Sequence, residues 1–172
     1  PLAVRFLDNV IDINKFPIPQ IEEMTKRTRK IGLGVMGFAD MLYQMGIPYN
    51  SATAVEVAQQ VMGFIRDEAH KTSRQLGRER GYFPAFKGSI YDIGSEGAMR
   101  NAACTTVAPT GTLSIIAGCS SGIEPVFSAV FVRNILDGEN LLEVNKHFEK
   151  AAKDAGVCSL DLMHRLVRCN HL

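Results

Sequence analysis

Two hydrophobic periods alternate along this chain, and the alternation limits the fold more than any other feature. Apolar residues at every second position suit a strand, and apolar residues three and four apart suit one face of a helix. Ile31, Leu33 and Val35 alternate with glycines and predict a tightly approached strand, after which Phe38, Met41, Leu42 and Met45 trace a helical face. The run Cys104 to Ala108 is β-prone and ends at Pro109, which biases Ala108 toward extended backbone. Leu113 to Ala117 then reads as a short apolar helix stopped by Gly118, and Phe127 to Ile135 as another strand. Leu141, Val144, Phe148, Ala151, Ala152 and Ala155 supply a further amphipathic helix. Strand and helix in alternation are the pattern of an α/β sheet or barrel.

The remaining segments fit around that order. Ala3, Phe6, Leu7, Val10 and Ile11 predict an opening amphipathic helix that Pro17 and Pro19 stop. Lys26, Arg27, Arg29 and Lys30 form a basic cluster, read as a solvated face. Gly46, Pro48 and Asn50 make a break, and Thr53 with Glu56 three residues on resembles a capping box for a long helix. Its buried stripe is Val57, Ala58, Val61, Phe64, Ile65 and Leu76, and Gly77 suits its C-terminal cap. The glycine- and aromatic-rich stretch from Gly81 to Gly97 predicts a structured loop. No composition shift divides the chain, so residues 1–157 are expected to form one domain and 158–172 a loosely attached tail.

Composition excludes several classes of function. With 46% hydrophobic residues among 172, the chain can bury a real core. Nineteen basic against eighteen acidic residues leave a net charge of +1, too balanced to draw the protein to a nucleic acid polymer, so any phosphate site is local. No apolar run approaches the roughly 20 residues of a membrane span, and the N-terminal stretch lacks the features of a signal peptide, which points to a cytoplasmic protein with no membrane partner. Cys104, Cys119, Cys158 and Cys169 form no CxxC pair and predict reduced thiols. Cys158, Cys169 and His171 are too few and too irregular for structural zinc, so no metal site is expected.

Two motifs carry possible chemistry. Gly32 to Gly37 (GLGVMG) matches the dinucleotide pattern GxGxxG, but that site places its glycines in a turn after a strand, with an acid about 20 residues on at the end of the next strand. Here the glycines alternate with the strand residues, and Glu56 falls in a predicted helix, so close backbone packing accounts for them better. The second motif, Ala108, Pro109, Thr110, Gly111, Thr112, Leu113 and Ser114, compresses strand, turn and helix start into one stretch. The first amides of a helix lack intrahelical partners and lie at the positive end of its dipole, so they suit phosphate without a lysine. Gly111 allows close approach, and the hydroxyls of Thr110, Thr112 and Ser114 can donate. The GK[ST] ending of a nucleotide-hydrolysing P-loop is lacking. A threonine-capped helix with no ligand explains the same residues equally well.

Three blocks then resemble a known family: RKIGLGVMGFAD (Arg29 to Asp40), MRNAACTTVAPTGTLSIIAG (Met99 to Gly118) and CSSGIEPVF (Cys119 to Phe127). Together they are similar to the large catalytic subunit of ribonucleotide reductases, with APTGT and SSGIEP closer to the adenosylcobalamin (vitamin B12) branch than to the iron-dependent one. The resemblance implies part of a ten-stranded α/β barrel in which the turn Pro109 to Leu113 holds the substrate phosphates. It implies site-shaping roles for Arg100, Asn101, Glu124 and Pro125; buried ion pairing is the competing account of Arg100 and Glu124. It further implies a ribonucleoside di- or triphosphate substrate, the remainder of the reductase chain, and a thioredoxin-type reductant. In the family a thiyl radical takes the ribose 3'-hydrogen and the 2'-hydroxyl is replaced by hydrogen. The asparagine-x-cysteine-x-glutamate block of that chemistry is not found around any of the four cysteines, so no residue here is expected to be catalytic. A fragment of the reductase, inactive alone, is the expectation. A small nicotinamide-dependent oxidoreductase using Gly32 to Gly37 and a non-catalytic interaction module are the rivals.

Overall fold

The computed structural model describes residues 1–94, 97–134 and 140–169. The chain divides into two compact units, one made of residues 1–35 and 52–108, the other of residues 36–51 and 109–172. Composition does not show that division, because each unit is assembled from two separate stretches of chain.

In the first unit, α1 (Leu2–Ile13) and α2 (Pro19–Thr28) precede the long α4 (Ala52–Arg80). The opening helix forms as expected, but its inward stripe is Val4, Asp8 and Ile11, while Phe6 stays in solvent. Pro19 starts α2 at a position where its missing N–H costs nothing, so this proline opens a second helix as well as following the first. Val4, Ile11, Ile31, Ala69, Leu76, Phe83, Met99 and Cys104 make the core. Phe64, expected in the buried stripe of α4, is 70% exposed. Thr53 lies inside α4, which already begins at Ala52, so it does not act as the expected cap. Gly77 is also inside that helix and buried. A side chain there would meet the backbone of Ala98, Met99 and Arg100 at 3.1 Å, so the glycine serves close approach.

The two stretches expected as strands, 31–35 and 104–108, form no regular strand but meet in a short parallel pairing centred on one bridge, Leu33 to Thr105. The Ile31 amide donates to Ala103 O at 2.9 Å, Leu33 to Cys104 O at 2.9 Å, and Thr106 to Leu33 O at 3.1 Å. The intervening glycines are there for room. A Cβ on Gly34 would fall 2.7 Å from the Thr106 carbonyl oxygen, and one on Gly32 equally close to the Thr106 methyl group. The region from Gly81 to Gly94 is a series of turns, as expected of a structured loop.

One buried carboxylate organises this unit. Asp8 is fully buried, and its Oδ1 accepts from Arg29 Nε at 3.0 Å, Arg29 Nη2 at 2.9 Å and Asn101 Nδ2 at 3.0 Å. Its Oδ2 lies 3.4 Å from both Arg80 Nη1 and Arg100 Nε. Arg29 is thus a buried anchor and not part of a solvated basic face. It ends α2 in left-handed backbone at φ 46°, which aims its side chain at Asp8 and Asp12. Asn101 completes the cluster through Ser73, whose hydroxyl donates to Asn101 Oδ1 at 2.9 Å.

The second unit holds α3 (Phe38–Gln44), α5 (Gly111–Ala117), α6 (Lys146–Asp154), α7 (Leu160–Cys169) and two strands. Strand β1 (Val130–Asn134) pairs antiparallel with β2 (Asn140–Val144), Val130 opposite Val144 and Val132 opposite Leu142. The strand expected from Phe127 therefore starts only at Val130, and Ile135 lies outside the described residues. Leu141 and Val144 belong to β2 and not to the helix expected there. That helix begins at Lys146 because Asn145 caps it, accepting from the His147 and Phe148 amides at 2.9 and 3.1 Å. Residues 160–169 form α7, which packs on β1 and buries Met163. The side chain of Cys169, and His171, lie outside the described residues. Among the described residues no helix is long and apolar enough to cross a membrane, and no three His, Cys, Asp or Glu side chains gather as metal ligands.

Two outcomes test the role of Asp8 and its partners. Replacing Asp8 with Asn leaves three guanidinium groups facing a neutral amide and should cost about 3–5 kcal/mol in urea unfolding, the range for breaking a buried ion pair. Asp12 behaves differently, because its side chain is half exposed. Its hydrogen bond from Arg29 holds its carboxyl below the usual aspartate range, against the opposing effect of desolvation. A lowered folded-state pKa gives stability that is present above the unfolded value, roughly pH 4, and is lost as pH falls through the folded value. Asp12→Asn should therefore lower stability at pH 7 and flatten its acid dependence below about pH 4, read from urea midpoints across pH.

Candidate functional site

The segment from Pro109 enters α5 through an unusual residue. Thr110 has φ 54° and ψ 28°, left-handed backbone that a β-branched side chain adopts rarely and at a cost of order 1–3 kcal/mol. Its own side chain fixes the conformation, since Thr110 Oγ1 accepts the Gly122 amide at 2.8 Å. The Thr110 carbonyl accepts from the Ser114 amide at 2.8 Å and starts the helix.

That geometry leaves three donors unspent. Among the described residues none accepts from the amides of Gly111, Thr112 or Leu113, and all three residues are exposed. Nothing lies within 4 Å of a Cβ built on Gly111, so the approach to those amides is open. Ser114 differs from the others of its motif: it is buried, its hydroxyl donates to Gly111 O at 2.8 Å, and it lies 2.8 Å from Ser121 Oγ. Its hydroxyl is committed to the protein. Ala108 and Pro109 are both exposed.

The segment after α5 folds back onto it. Gly118 closes the helix in left-handed backbone at φ 63°, and Lys146 Nζ donates to the Gly118 carbonyl at 2.8 Å. Ser120 is held by α3: its amide donates to Asp40 Oδ2 at 2.7 Å, and its carbonyl accepts from Gly37 N at 2.8 Å. Tyr49 donates its hydroxyl to Ile123 O at 2.7 Å. Asp40, Gly118, Ser120 and Lys146 line one side of an open cavity of about 510 Å³ whose wall also includes Ser114, Ser121, Glu124 and Pro125. Glu124 and Pro125 thus lie in the wall of a space that Ser114 also borders. Glu124 is exposed, so a buried ion pair does not account for it.

Arg100 and Asn101 belong to the first unit. Arg100 reaches Asp8, and its Nη1 donates to the carbonyls of Arg80 and Gly81 at 3.1 Å each; Asn101 is fully buried beside Asp8. Ion pairing accounts for Arg100, and satisfied hydrogen bonding for Asn101. The dinucleotide motif gains no support, since the Leu33 amide is used in strand pairing, and Gly32 and Gly34 face Thr106. Cys104 is buried and its thiol pKa is pushed up by that burial, partly offset by Ser73, so it stays protonated at neutral pH. Sequence reasoning misses Asp40, Ser120, Ser121 and Lys146. The signals available are a small polar run after an apolar helix and an acid in the first turn of α3.

Comparison with known proteins places the chain in a family. The model of a family described as ribonucleotide reductase, barrel domain, matches residues 1–97 and 92–171. A vitamin B12-dependent ribonucleoside-diphosphate reductase of Thermoplasma acidophilum is 56% identical over 171 residues, 99% of this chain and 22% of that protein. A Mycobacterium tuberculosis protein of the same description is 52% identical over 155 residues, 90% of this chain and 22% of its own length. The ribonucleoside-diphosphate reductase subunit alpha of Chlamydia pneumoniae is 31% identical over 201 aligned positions, 96% of this chain and 19% of that subunit. The chain spans about a fifth of the length of these curated relatives. Because the match runs through both units and the identity to two reductases exceeds half, this chain belongs to the ribonucleotide reductase family and falls within its barrel domain.

Proposed function

We propose that this chain contributes the substrate-phosphate turn and several barrel elements to an adenosylcobalamin-dependent enzyme that reduces ribonucleoside diphosphates. The observation that carries the reading is the set of three open amides at Gly111, Thr112 and Leu113, presented by a strained Thr110 that a side-chain bond holds in place. A diphosphate seated there is bound by fixed donors and by the positive end of a helix, with no lysine needed. Holding the phosphates orients the ribose, which is how such a turn serves a reaction occurring elsewhere on the substrate. Glu124 and Pro125 shape the neighbouring wall, and Arg100 and Asn101 are structural supports within the first unit.

Two relatives that carry vitamin B12 in their descriptions are 56% and 52% identical, against 31% for an alpha subunit without it, which favours the cobalamin branch. When bound, that cofactor supplies the radical that starts the reduction. A cavity of about 510 Å³ suits a drug-sized ligand and not a corrin, so no described residue is assigned to the cofactor. The exposed Leu113, Ile115, Ile116 and Phe127 are covered, in this reading, by the rest of a ten-stranded barrel. A thioredoxin-type reductant and a cytoplasmic setting accompany the same reading, with the reducing cysteines lying elsewhere in the enzyme.

The decisive experiment uses Gly111→Asp. The side chain has room, and an acid in the first turn favours the helix by about 0.3–1 kcal/mol, so the variant should fold at least as well as the parent. Its charge should weaken nucleoside diphosphate binding at least tenfold by calorimetry, while Thr112→Val causes a smaller loss. Saturable binding that ignores both substitutions would refute the turn as the phosphate site.

A further inference from the structure

Ser120 is gripped at every polar atom it has, and all three grips come from the start of α3. Its amide donates to Asp40 Oδ2 at 2.7 Å, its carbonyl accepts from Gly37 N at 2.8 Å, and its hydroxyl accepts from Asp40 N at 3.3 Å. An acid at the third position of a helix commonly folds back onto the cap amide of its own helix. Asp40 does not, because Gly37 N has gone to Ser120 and the carboxylate reaches across to the same residue. The carboxylate is buried, and burying one costs several kcal/mol unless it is well paired. Its compensation is the Ser120 amide and the dipole of α3.

The next two residues give that grip its importance. Ser121 Oγ meets Ser114 Oγ at 2.8 Å, and Gly122 donates to Thr110 Oγ1 at 2.8 Å. Those two bonds are the ones that hold Thr110 in its left-handed state and fix the first turn of α5. Asp40, Ser120, Ser121–Gly122 and Thr110–Ser114 therefore form one continuous chain of bonds from a buried acid to the open amides.

We propose that Asp40 is the positioning residue of the phosphate turn, acting through residues 120–122. It never touches the ligand. It holds the loop at the distance at which Gly122 reaches Thr110, and so keeps the Gly111, Thr112 and Leu113 amides convergent before any phosphate arrives. This rests on the phosphate reading above, but its first consequence, the order of the turn, does not need a ligand.

The test joins amide hydrogen exchange by NMR with calorimetric titration of ADP. Asp40→Ala should speed exchange at Ser120 and Gly122 at least tenfold, shift the Thr112 and Leu113 amide resonances, and weaken ADP at least fivefold. Asp40→Asn keeps an oxygen for the Ser120 amide and should recover most of each effect. Ser121→Ala cuts the chain lower down, so it should disturb residues 110–113 while leaving Ser120 protected, and it decides the matter if Asp40→Ala does not fold. Unchanged resonances at 112 and 113 in every folded variant would overturn the proposal. If the parent chain binds no ADP, the phosphate reading falls, and the exchange pattern alone then judges the positioning role.

Discussion

A single buried carboxylate, Asp8, is the constraint on which the first unit depends. Three guanidinium groups and one carboxamide reach it from separate places in the sequence: Arg29 at the end of α2, Arg80 at the end of α4, and Arg100 with Asn101 just before the paired strand. An ion in the interior is a poor source of net stability, but it is strict about geometry, because each missing partner leaves uncompensated charge. That strictness fixes the height at which residues 100–101 lie on the helices. Shortly afterwards the chain enters the parallel pairing of Thr105 with Leu33, and the backbone contact at Gly34 tolerates no side chain. The cluster and the glycines thus set the register in which the chain leaves this unit.

The parts of this architecture visible in the sequence are those with a local cause. The opening helix, the strand-like alternation at residues 31–35, the turns after Gly81 and the short helix before Gly118 each rest on periodicity or on a breaker residue, and each is present. The misreadings share a different cause. Arg29 looks like one more surface cation, and only its left-handed backbone and two distant aspartates make it a buried anchor. Leu141 and Val144 fit a helical stripe, yet pairing with Val130–Asn134 claims them for a strand, a case of tertiary contact overriding local pattern. Gly77 looks like a cap because it comes after an apolar stripe, whereas its use is to let another stretch of backbone pass.

The candidate site divides in the same way. That residues 109–114 make a turn into a helix is legible, because proline, threonine and glycine have fixed conformational preferences. That Ser114 spends its hydroxyl inside the protein is not, since the partner that takes it, Ser121, is set by how the loop after α5 returns. Asp40 is the least legible of all. Nothing in the first turn of an amphipathic helix announces an acid that will turn away from its own helix and bind a serine 80 residues on.

In the proposed reading, the exposed flank of α5 and its open tip have a common cause. The helix carries Leu113, Ile115 and Ile116 outward, with Ile116 78% exposed, and Phe127 beyond it is 88% exposed. Large apolar groups gathered on one short helix are costly in water, and a monomer of this size rarely keeps such a patch without a use. The same helix presents its first three amides to the open. A helix apolar along its flank and polar only at its tip is suited to the inside of a larger body, with the tip facing a ligand space and the flank packed. Under the proposed phosphate reading the strained Thr110 has a use: water would satisfy those amides in an ordinary exposed turn with no need of strain, whereas an anion-binding turn holds them ready in advance.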